Sequence, residues 1–202
     1  MISGTAGYEK SVERFLEVSR KLEFAVVNRD FLAYLPVVPA RVLDLGSGAG
    51  QNAAALAELG HAVVAVEPMR PFLWAARENY SHLPIDWMRG SLPLMACLGR
   101  SAGEFDFILI DGVWHHLNQA QRDVALCRVA EMLAPRGKCA ISLRNGPPGM
   151  GSCVYPTSSY QTIQQASVLG LRCMLQLENQ PSILANKSDV VWSRLVLEKS
   201  HE

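Results

Sequence analysis

Residues capable of chemistry occur in this sequence beside short apolar runs. Asp44 lies near the end of the first run, Glu67 closes the second and Arg144 follows a later one. A fourth polar segment, 111–116 (Asp-Gly-Val-Trp-His-His), follows the apolar run 105–110. Ligands of open α/β sheets bind outside the carboxyl ends of the strands, so we expect these groups to share one rim and surround one ligand.

The segment 42–50, Val-Leu-Asp-Leu-Gly-Ser-Gly-Ala-Gly, reads as a buried strand that enters a glycine-rich turn and then an alanine-rich helix. Gly46 permits the tight turn, and Gly48 lets a ligand approach the backbone closely. Such a turn is typical of sites for nucleotide-like ligands, although tight strand–helix turns also use glycine for packing alone. The dinucleotide fingerprint wants glycine or alanine at position 51, where this chain has Gln51, and this difference disfavours a nicotinamide cofactor without excluding it.

Two carboxylates of this rim have different expected roles. Glu67 ends the second predicted strand, where a carboxylate can accept the two hydroxyls of a ribose; the alternative is a solvated strand end. Asp44 lies within a buried apolar run, and a buried carboxylate must find donors. It could bond to N–H groups of the turn, orient the turn, or face an amino group of the ligand.

The segment 111–116 supplies two candidate catalytic residues, His115 and His116. One of them, with His116 favoured, could act as a general base or orient an acceptor. Adjacent side chains diverge, so they form a poor metal pair and no metal site is expected; the alternative is that one caps the next helix or packs under the loop. Arg144 could bind an acidic acceptor or pair structurally. Trp114 and Tyr155 could line an acceptor pocket or pack in the core.

Alternating strands and helices must position these groups. The pattern predicts an α/β fold, a Rossmann-like doubly wound and mostly parallel seven-stranded sheet with helices on both faces. The last two strands lack a helical connection, which predicts an antiparallel edge strand. The expected strands are Arg41–Leu45, His61–Val66, Ile85–Met88, Phe105–Ile110, Lys138–Leu143, Leu171–Leu177 and Val190–Leu197. Helices are expected over 50–59, 71–80, 93–100, 118–134 and 158–169. In the helix over 118–134 the side chains expected to point inward are Val124, Leu126, Val129, Met132 and Leu133.

The N-terminal part of the chain is expected to be helical. We predict a single domain, in which residues 1–39 form a helical cap and residues 40–202 form the Rossmann-like core. Two helices over 8–35 would either pack on the edge of the sheet or cover the ligand site with Tyr8 or Arg14.

The composition favours a globular protein of the cytoplasm. Of 202 residues 49% are hydrophobic, and 19 basic residues balance 19 acidic ones, so no broad footprint for nucleic acid or membrane is expected. No apolar run approaches the ~20 residues needed to cross a bilayer, and no secretory signal is visible. The five cysteines form no CxxC pair, which indicates reduced thiols.

Several segments together resemble the class I S-adenosylmethionine-dependent methyltransferases. The resemblance rests on Val42–Gly50, Val63–Pro68 and Phe105–Leu117. The stretches Ser142–Pro147 and Asp189–Leu195 are similar to a small bacterial group within that superfamily. The resemblance implies S-adenosyl-L-methionine as cofactor and S-adenosyl-L-homocysteine as product.

The resemblance also implies which residues hold the cofactor. Asp44, Gly46, Ser47 and Gly48 would line its methionine end, and Glu67 would hold the ribose. Pro68 and Met69 would pack on the adenine, Ser91 and Leu92 stand where many relatives place an acidic adenine contact, and Asp111, Gly112 and Val113 would run along the other side.

The resulting hypothesis is an enzyme that transfers a methyl group to an acceptor, for which a small molecule is favoured over a peptide or protein side chain. Methyl transfer from a sulfonium is an in-line displacement, so positioning and a dry pocket supply much of the acceleration. A base is needed only where the acceptor must lose a proton. The alternatives are a non-catalytic cofactor-binding or partner-binding protein of the same fold and, less favoured, a nicotinamide-dependent oxidoreductase.

Overall fold

The computed structural model describes residues 3–99, 103–184 and 187–200, and its centre is a seven-stranded sheet. The order of the strands is β3-β2-β1-β4-β5-β7-β6. The strands are β1 Arg41–Leu45, β2 Ala62–Glu67, β3 Ile85–Arg89, β4 Phe105–Ile110, β5 Leu133–Asn145, β6 Leu171–Pro181 and β7 Val191–Lys199. The α-helices are α1 Val12–Ser19, α2 Phe24–Val27, α3 Gln51–Glu58, α4 Arg70–Asn79, α5 Gln119–Met132 and α6 Ser159–Val168.

The central strands β1, β2 and β4 are parallel neighbours and are apolar on both faces. Val42 of β1 lies beside Val63 on one side and Phe107 on the other, and all three are buried. A parallel strand covered by helices on both sides buries every side chain, which explains the continuous apolar runs. Asp106 is the exposed exception in β4, and its carboxylate accepts from the N–H of Arg41 at 2.9 Å, far from the site end of the strand.

The sheet is mixed because β7 runs antiparallel to its two neighbours. It pairs with β5 on one side and with the edge strand β6 on the other, which confirms the predicted antiparallel pair at one edge. The fold class is therefore as the sequence indicates. β5 begins at Leu133, which pairs with Phe105, so this strand starts earlier than the predicted residue 138.

The buried face of helix α5 differs in one residue from the face that the sequence predicts. It begins with a capping box, in which Asn118 and Gln121 exchange side-chain and backbone hydrogen bonds. Its buried face includes Leu126 and Val129, whereas Val124 is 43% exposed, so the expectation that Val124 points inward is wrong. A residue two positions from Leu126 lies on a different side of a helix.

The N-terminal segment consists of short helical pieces. Besides α1 and α2 it forms 3-10 turns at Ser3–Thr5, Tyr8–Lys10 and Arg29–Tyr34. The ring of Phe15 stacks on Phe72 of α4 at 4.4 Å between centroids, so α1 lies against the helical layer beside the carboxyl ends of the strands.

The turn between β1 and α3 depends on Gly50. This residue has φ +89°, a left-handed conformation that favours glycine. A Cβ at this position would come within 2.6 Å of the Trp87 ring and 2.9 Å of the Ala76 Cβ. The turn therefore packs directly on β3 and α4.

We expect Gly50→Ala to destabilise the protein more than Gly60→Ala. Gly60 has φ +91°, but a Cβ at that position would meet no atom within 4 Å, so its substitution costs only the left-handed backbone, about 1–2 kcal/mol. Gly50→Ala adds overpacking, about 1–3 kcal/mol more. Urea denaturation of the two variants measures the difference, and equal losses would contradict the packing argument.

Candidate functional site

A cavity of about 320 Å³ opens at the carboxyl ends of the parallel strands. Its walls come from the turns after β1 to β5, the N-terminal segment and the loop between β6 and β7. The predicted site residues that line it are Gly46, Ser47, Gly48, Glu67, Pro68, Met69, Ser91, Leu92, Asp111, Gly112, Val113, His115, His116 and Arg144. The structure thus brings together residues from five separate strand ends.

Three predicted site residues, Asp44, Trp114 and Tyr155, are not part of the described lining of this cavity. Asp44 is 1% exposed, and it accepts a hydrogen bond from the backbone of Ala53 at the start of α3. Burial, and then the charges of Asp111 and Glu67, raise the pKa of Asp44 to about 8. Its position below the cavity gives it a role in the turn.

Trp114 and Tyr155 contribute to the structure around the cavity. Trp114 is fully buried in the hydrophobic core. Tyr155 is 37% exposed, and its backbone N–H donates to the carbonyl of His115 at 2.8 Å. The buried guanidinium of Arg122 donates to the carbonyls of both residues and of Pro156, so it joins the turn after β4 to the loop after β5.

The Glu67 carboxylate joins two turns at the cavity wall. One oxygen accepts from the N–H of Gly48 at 3.0 Å, and the other accepts from the N–H of Met69 at 2.8 Å. Burial raises the pKa of Glu67 to about 7, although both hydrogen bonds act in the opposite direction. Each carboxylate oxygen can accept a further hydrogen bond, so the group is able to receive two donors from a ligand.

Asp111 is paired within the protein. Its carboxylate accepts from Ser142 Oγ at 2.7 Å, from Arg194 Nη1 at 3.3 Å and from Asn52 Nδ2 at 3.4 Å. Sequence reasoning missed Arg194, which also lines the cavity. A charged residue in the middle of the apolar segment 190–197 is the signal that could have found it.

The same network holds the N-terminal segment over the site. Arg194 Nη2 donates to the carbonyl of Val27 at 3.1 Å, and Arg194 Nε lies 4.0 Å from the Asp30 carboxylate. The amide of Asn28 donates to Asn52 Oδ1 at 3.1 Å, so the strand ends and the segment after α1 share one polar network.

His116 has a defined tautomer because its two ring nitrogens have different partners. Nδ1 lies 2.6 Å from the carbonyl of Cys153, which can only accept, so Nδ1 carries the hydrogen. Nε2 lies 3.0 Å from the hydroxyl of Tyr8 and accepts from it. Burial lowers the pKa of His116 and raises that of Tyr8 to about 12, so both groups are neutral near pH 7.

His115 is a second neutral imidazole beside the first. The two ring centroids are 4.1 Å apart. Burial, followed by His116 and the cations Arg144, Arg122 and Lys187, lowers the pKa of His115 to about 2. A buried imidazole in such a field stays uncharged.

Aromatic side chains of the N-terminal segment close one side of the cavity. The Tyr8 ring makes edge contacts with Phe15 and Phe72, and the backbone carbonyl of Ala6 accepts from the N–H of Ser152 at 2.8 Å. Residues 3–10 therefore lie against the loop after β5 as well as against the cavity. Of the two residues that the sequence offers for a cap, Tyr8 lines the cavity, whereas Arg14 is exposed and outside the described lining.

Some polar atoms at the cavity have no partner among the described residues. Ser47 Oγ, Gln51 Oε1 and His115 Nδ1 are buried, belong to residues that line the cavity, and make no hydrogen bond to residues 3–99, 103–184 or 187–200. Buried polar groups are normally hydrogen-bonded, so these atoms fit a polar ligand.

Metal clusters and membrane spans are absent from the described ranges. Across residues 3–99, 103–184 and 187–200, no group of three or more His, Cys, Asp or Glu side chains could hold a metal ion. In the same parts of the chain, every helix is too short or too polar to cross a bilayer.

The sequence is similar to known methyltransferases. Residues 42–137 match a family described as "Methyltransferase domain". An uncharacterized methyltransferase of Mycobacterium tuberculosis is 32% identical over 120 residues, which are 56% of this chain and 58% of that protein. The chain thus spans less than two thirds of the length of the curated relatives it matches.

Solved structures share the fold over nearly the whole chain. A TehB-like SAM-dependent methyltransferase from Corynebacterium glutamicum has a TM-score of 0.70 and 22% identity, and covers 96% of this chain and 98% of its own. The 1,6-didemethyltoxoflavin-N1-methyltransferase of Burkholderia thailandensis has a TM-score of 0.70 and 20% identity, and the match covers 96% of this chain and 85% of that one. It was solved with bound 1,6-didemethyltoxoflavin and S-adenosylhomocysteine. These likenesses establish the fold.

We expect His115 to take up no proton between pH 8 and pH 6, and His116 to take one up at a lower pH than an ordinary histidine. Burial and neighbouring cations disfavour the charged forms, whereas the same rings in the urea-denatured chain should titrate at about 6.5. Long-range ¹H–¹⁵N NMR spectra report the protonation state, and His115→Gln assigns the signals. Protonation of His115 near pH 6.5 in the folded protein would contradict this account.

Proposed function

We propose that this chain, a member of the class I S-adenosylmethionine-dependent methyltransferase superfamily, transfers a methyl group from S-adenosylmethionine to a small molecule. The observation that carries the proposal is the buried Glu67 carboxylate, held by Gly48 and Met69 at the wall of the cavity. A carboxylate at the end of the second strand is placed to accept the two hydroxyls of a ribose.

The neighbouring residues fit the rest of such a cofactor. Gly46 and Gly48 have φ +78° and +54°, and their turn brings backbone to the cavity wall without side chains. The unpartnered hydroxyl of Ser47 lies beside them and would bond the methionine end. The remaining proposed contacts are Pro68, Met69, Ser91 and Leu92 around the adenine, and Asp111, Gly112 and Val113 along the other side.

His116 would serve an acceptor that must lose a proton. When bound, the cofactor supplies an electrophilic methyl group. Of the two ring nitrogens of His116, Nε2 is the basic one because Nδ1 donates its hydrogen to the carbonyl of Cys153. In the structure the Tyr8 hydroxyl donates to the lone pair of Nε2. An acceptor that displaces Tyr8 would reach Nε2 directly; otherwise Tyr8 would pass the proton to it.

The surroundings of His116 favour this chemistry. Aromatic rings of the N-terminal segment pack beside it, and they would limit water around the reacting groups. A neutral imidazole is ready to accept a proton near pH 7.

A non-catalytic binding protein of the same fold is the second candidate. The observation that favours it is the Tyr8–His116 hydrogen bond, because it occupies the atom that we assign as the base. Turnover of labelled S-adenosylmethionine with a panel of acceptors separates the two candidates. A protein that binds the cofactor tightly and methylates none of them would favour the binding role.

We expect S-adenosylhomocysteine to raise the melting temperature and NADH to leave it unchanged, since a ligand that binds the native state stabilises it by mass action. Glu67→Gln should weaken S-adenosylhomocysteine binding by about 1–3 kcal/mol because it removes charge-assisted acceptors. Asp106→Asn is the matched control, since that carboxylate also accepts a backbone N–H but lies at the opposite end of the sheet. Calorimetry measures the affinities, and an NADH shift without one for S-adenosylhomocysteine would refute the assignment.

Affinity for S-adenosylhomocysteine should fall as the pH is lowered from 8 to 6. The carboxylate form of Glu67 accepts the ligand hydroxyls, and with a pKa of about 7 it is mostly ionised at pH 8 and mostly protonated at pH 6. The expected loss is about tenfold over this range. In Glu67→Gln the affinity should lose this dependence; a wild-type affinity that is constant with pH would mean that Glu67 does not bind the ribose.

A further inference from the structure

We infer that Arg144 and Lys187 form an anion subsite in the cavity, and that the methyl acceptor is a small molecule bearing a carboxylate or phosphate group. The inference rests on the proposed function, which it extends by naming the class of acceptor. Arg144 lies near the end of β5, and Lys187 lies in the loop between β6 and β7. Both line the cavity.

Arg144 is a buried cation without a carboxylate partner among the described residues. The residue is only 6% exposed. Nη1 donates a hydrogen bond to the carbonyl of Gly146 at 3.4 Å, and Nη2 donates one to the carbonyl of Pro147 at 2.6 Å. In the described part of the chain, no acidic group lies within 4.0 Å of it. Carbonyls satisfy two donors but do not neutralise the charge, and an uncompensated buried charge is costly.

Arg122 shows what a purely structural arginine looks like in this protein. It too is buried, at 4% exposed, but Nε, Nη1 and Nη2 each donate to a carbonyl, and it is not part of the described cavity lining. Arg144 differs because it faces the cavity, and because its Nε makes no hydrogen bond to the residues described. Its free donors and its charge are therefore available to a ligand.

Lys187 is a second cation in the same part of the cavity. It is half-buried, and the described chain offers it no ion pair. Burial, then the charges of Arg144 and Arg14, lowers the pKa of Lys187, and the exposed Asp189 acts against them more weakly. Two cations that repel each other inside one cavity would be relieved by a shared anion.

The charges that line the cavity are distributed unevenly. Asp30 lies 3.5 Å from Arg29, and Arg194 is held by Asp111, so those groups largely cancel. Glu67 remains as the acidic group that we assign to the ribose. The positive charge of Arg144 and Lys187 also remains, and the exposed Asp189 opposes it only in part.

The positive charge of Arg144 lies near the histidine pair, where we propose that the acceptor binds. The charge of Arg144 lowers the pKa of His115, His116 and Tyr8. The charge of Glu67 raises the pKa of Tyr8. Tyr8 is therefore within electrostatic reach of both Glu67 and Arg144, and its hydroxyl is bonded to His116 at the cavity wall. An acceptor whose anion is held by the cations would present its other atoms near His116 Nε2.

The test uses benzoate and inorganic phosphate as anion probes, with benzamide as the uncharged match for benzoate, on protein saturated with S-adenosylhomocysteine. At constant ionic strength we expect saturable stabilisation by at least one anion and none by benzamide. Arg144→Met and Lys187→Met should each weaken this anion binding at least tenfold. Lys21→Met, which removes an exposed ion pair with Glu17, should leave it unchanged.

Three results would overturn the inference. The first is the absence of saturable anion binding in the wild type, and the second is equal anion binding in the wild type and both cavity variants. The third is that Arg144→Met weakens the binding of S-adenosylhomocysteine but not that of 5′-methylthioadenosine, since the cation would then hold the cofactor's own carboxylate. Failure of the proposed function is distinct, because S-adenosylhomocysteine would then fail to stabilise the wild type at all.

Discussion

The constraint on which this structure depends is the burial of charge at the carboxyl ends of its strands. Asp44, Glu67, Arg144 and Arg194 are each at most 8% exposed there. Charged groups in such surroundings need hydrogen bonds or opposite charges. Glu67 obtains two backbone N–H groups and Arg194 obtains Asp111, whereas Arg144 obtains only carbonyls within the described chain. The hydrogen bonds and ion pairs that these charged groups form determine the shape of the turns. A buried charged group that lacks an opposite charge is available to bind a ligand.

The same pairing requirement brings the N-terminal segment to the site. Arg194 reaches across from β7 to Val27 and Asp30, and Tyr8 donates to His116. The segment thus contributes both a wall and a hydrogen-bond donor to the cavity. Its position follows from polar contacts with the strand ends and from the stacking of Phe15, in addition to the burial of apolar surface.

The proposed division of labour follows the part of the chain that matches the methyltransferase family. The matched region 42–137 contains Glu67 and the histidine pair. Tyr8, Arg144 and Lys187 lie outside it. In our proposal the shared region holds the methyl donor, and the segments around it select the acceptor by charge.

Local patterns in the sequence determined the fold class, the bounds of β1 and β4, and the glycine turn. The reason is that apolar runs, helix caps and left-handed glycines act over a few residues, so β1 and β4 have the boundaries that the sequence predicts. The rim containing Glu67 and His116 followed from the parallel order of the strands.

Only the tertiary structure decided which side chains meet. Arg194 pairs with Asp111 because the antiparallel β7 lies beside β5, and Lys187 joins Arg144 because the loop between β6 and β7 forms part of the cavity wall. Asp44 lies under the turn and Trp114 lies in the core, although the sequence places both beside site residues. These outcomes depend on contacts between residues far apart in the chain, which local spacing does not encode.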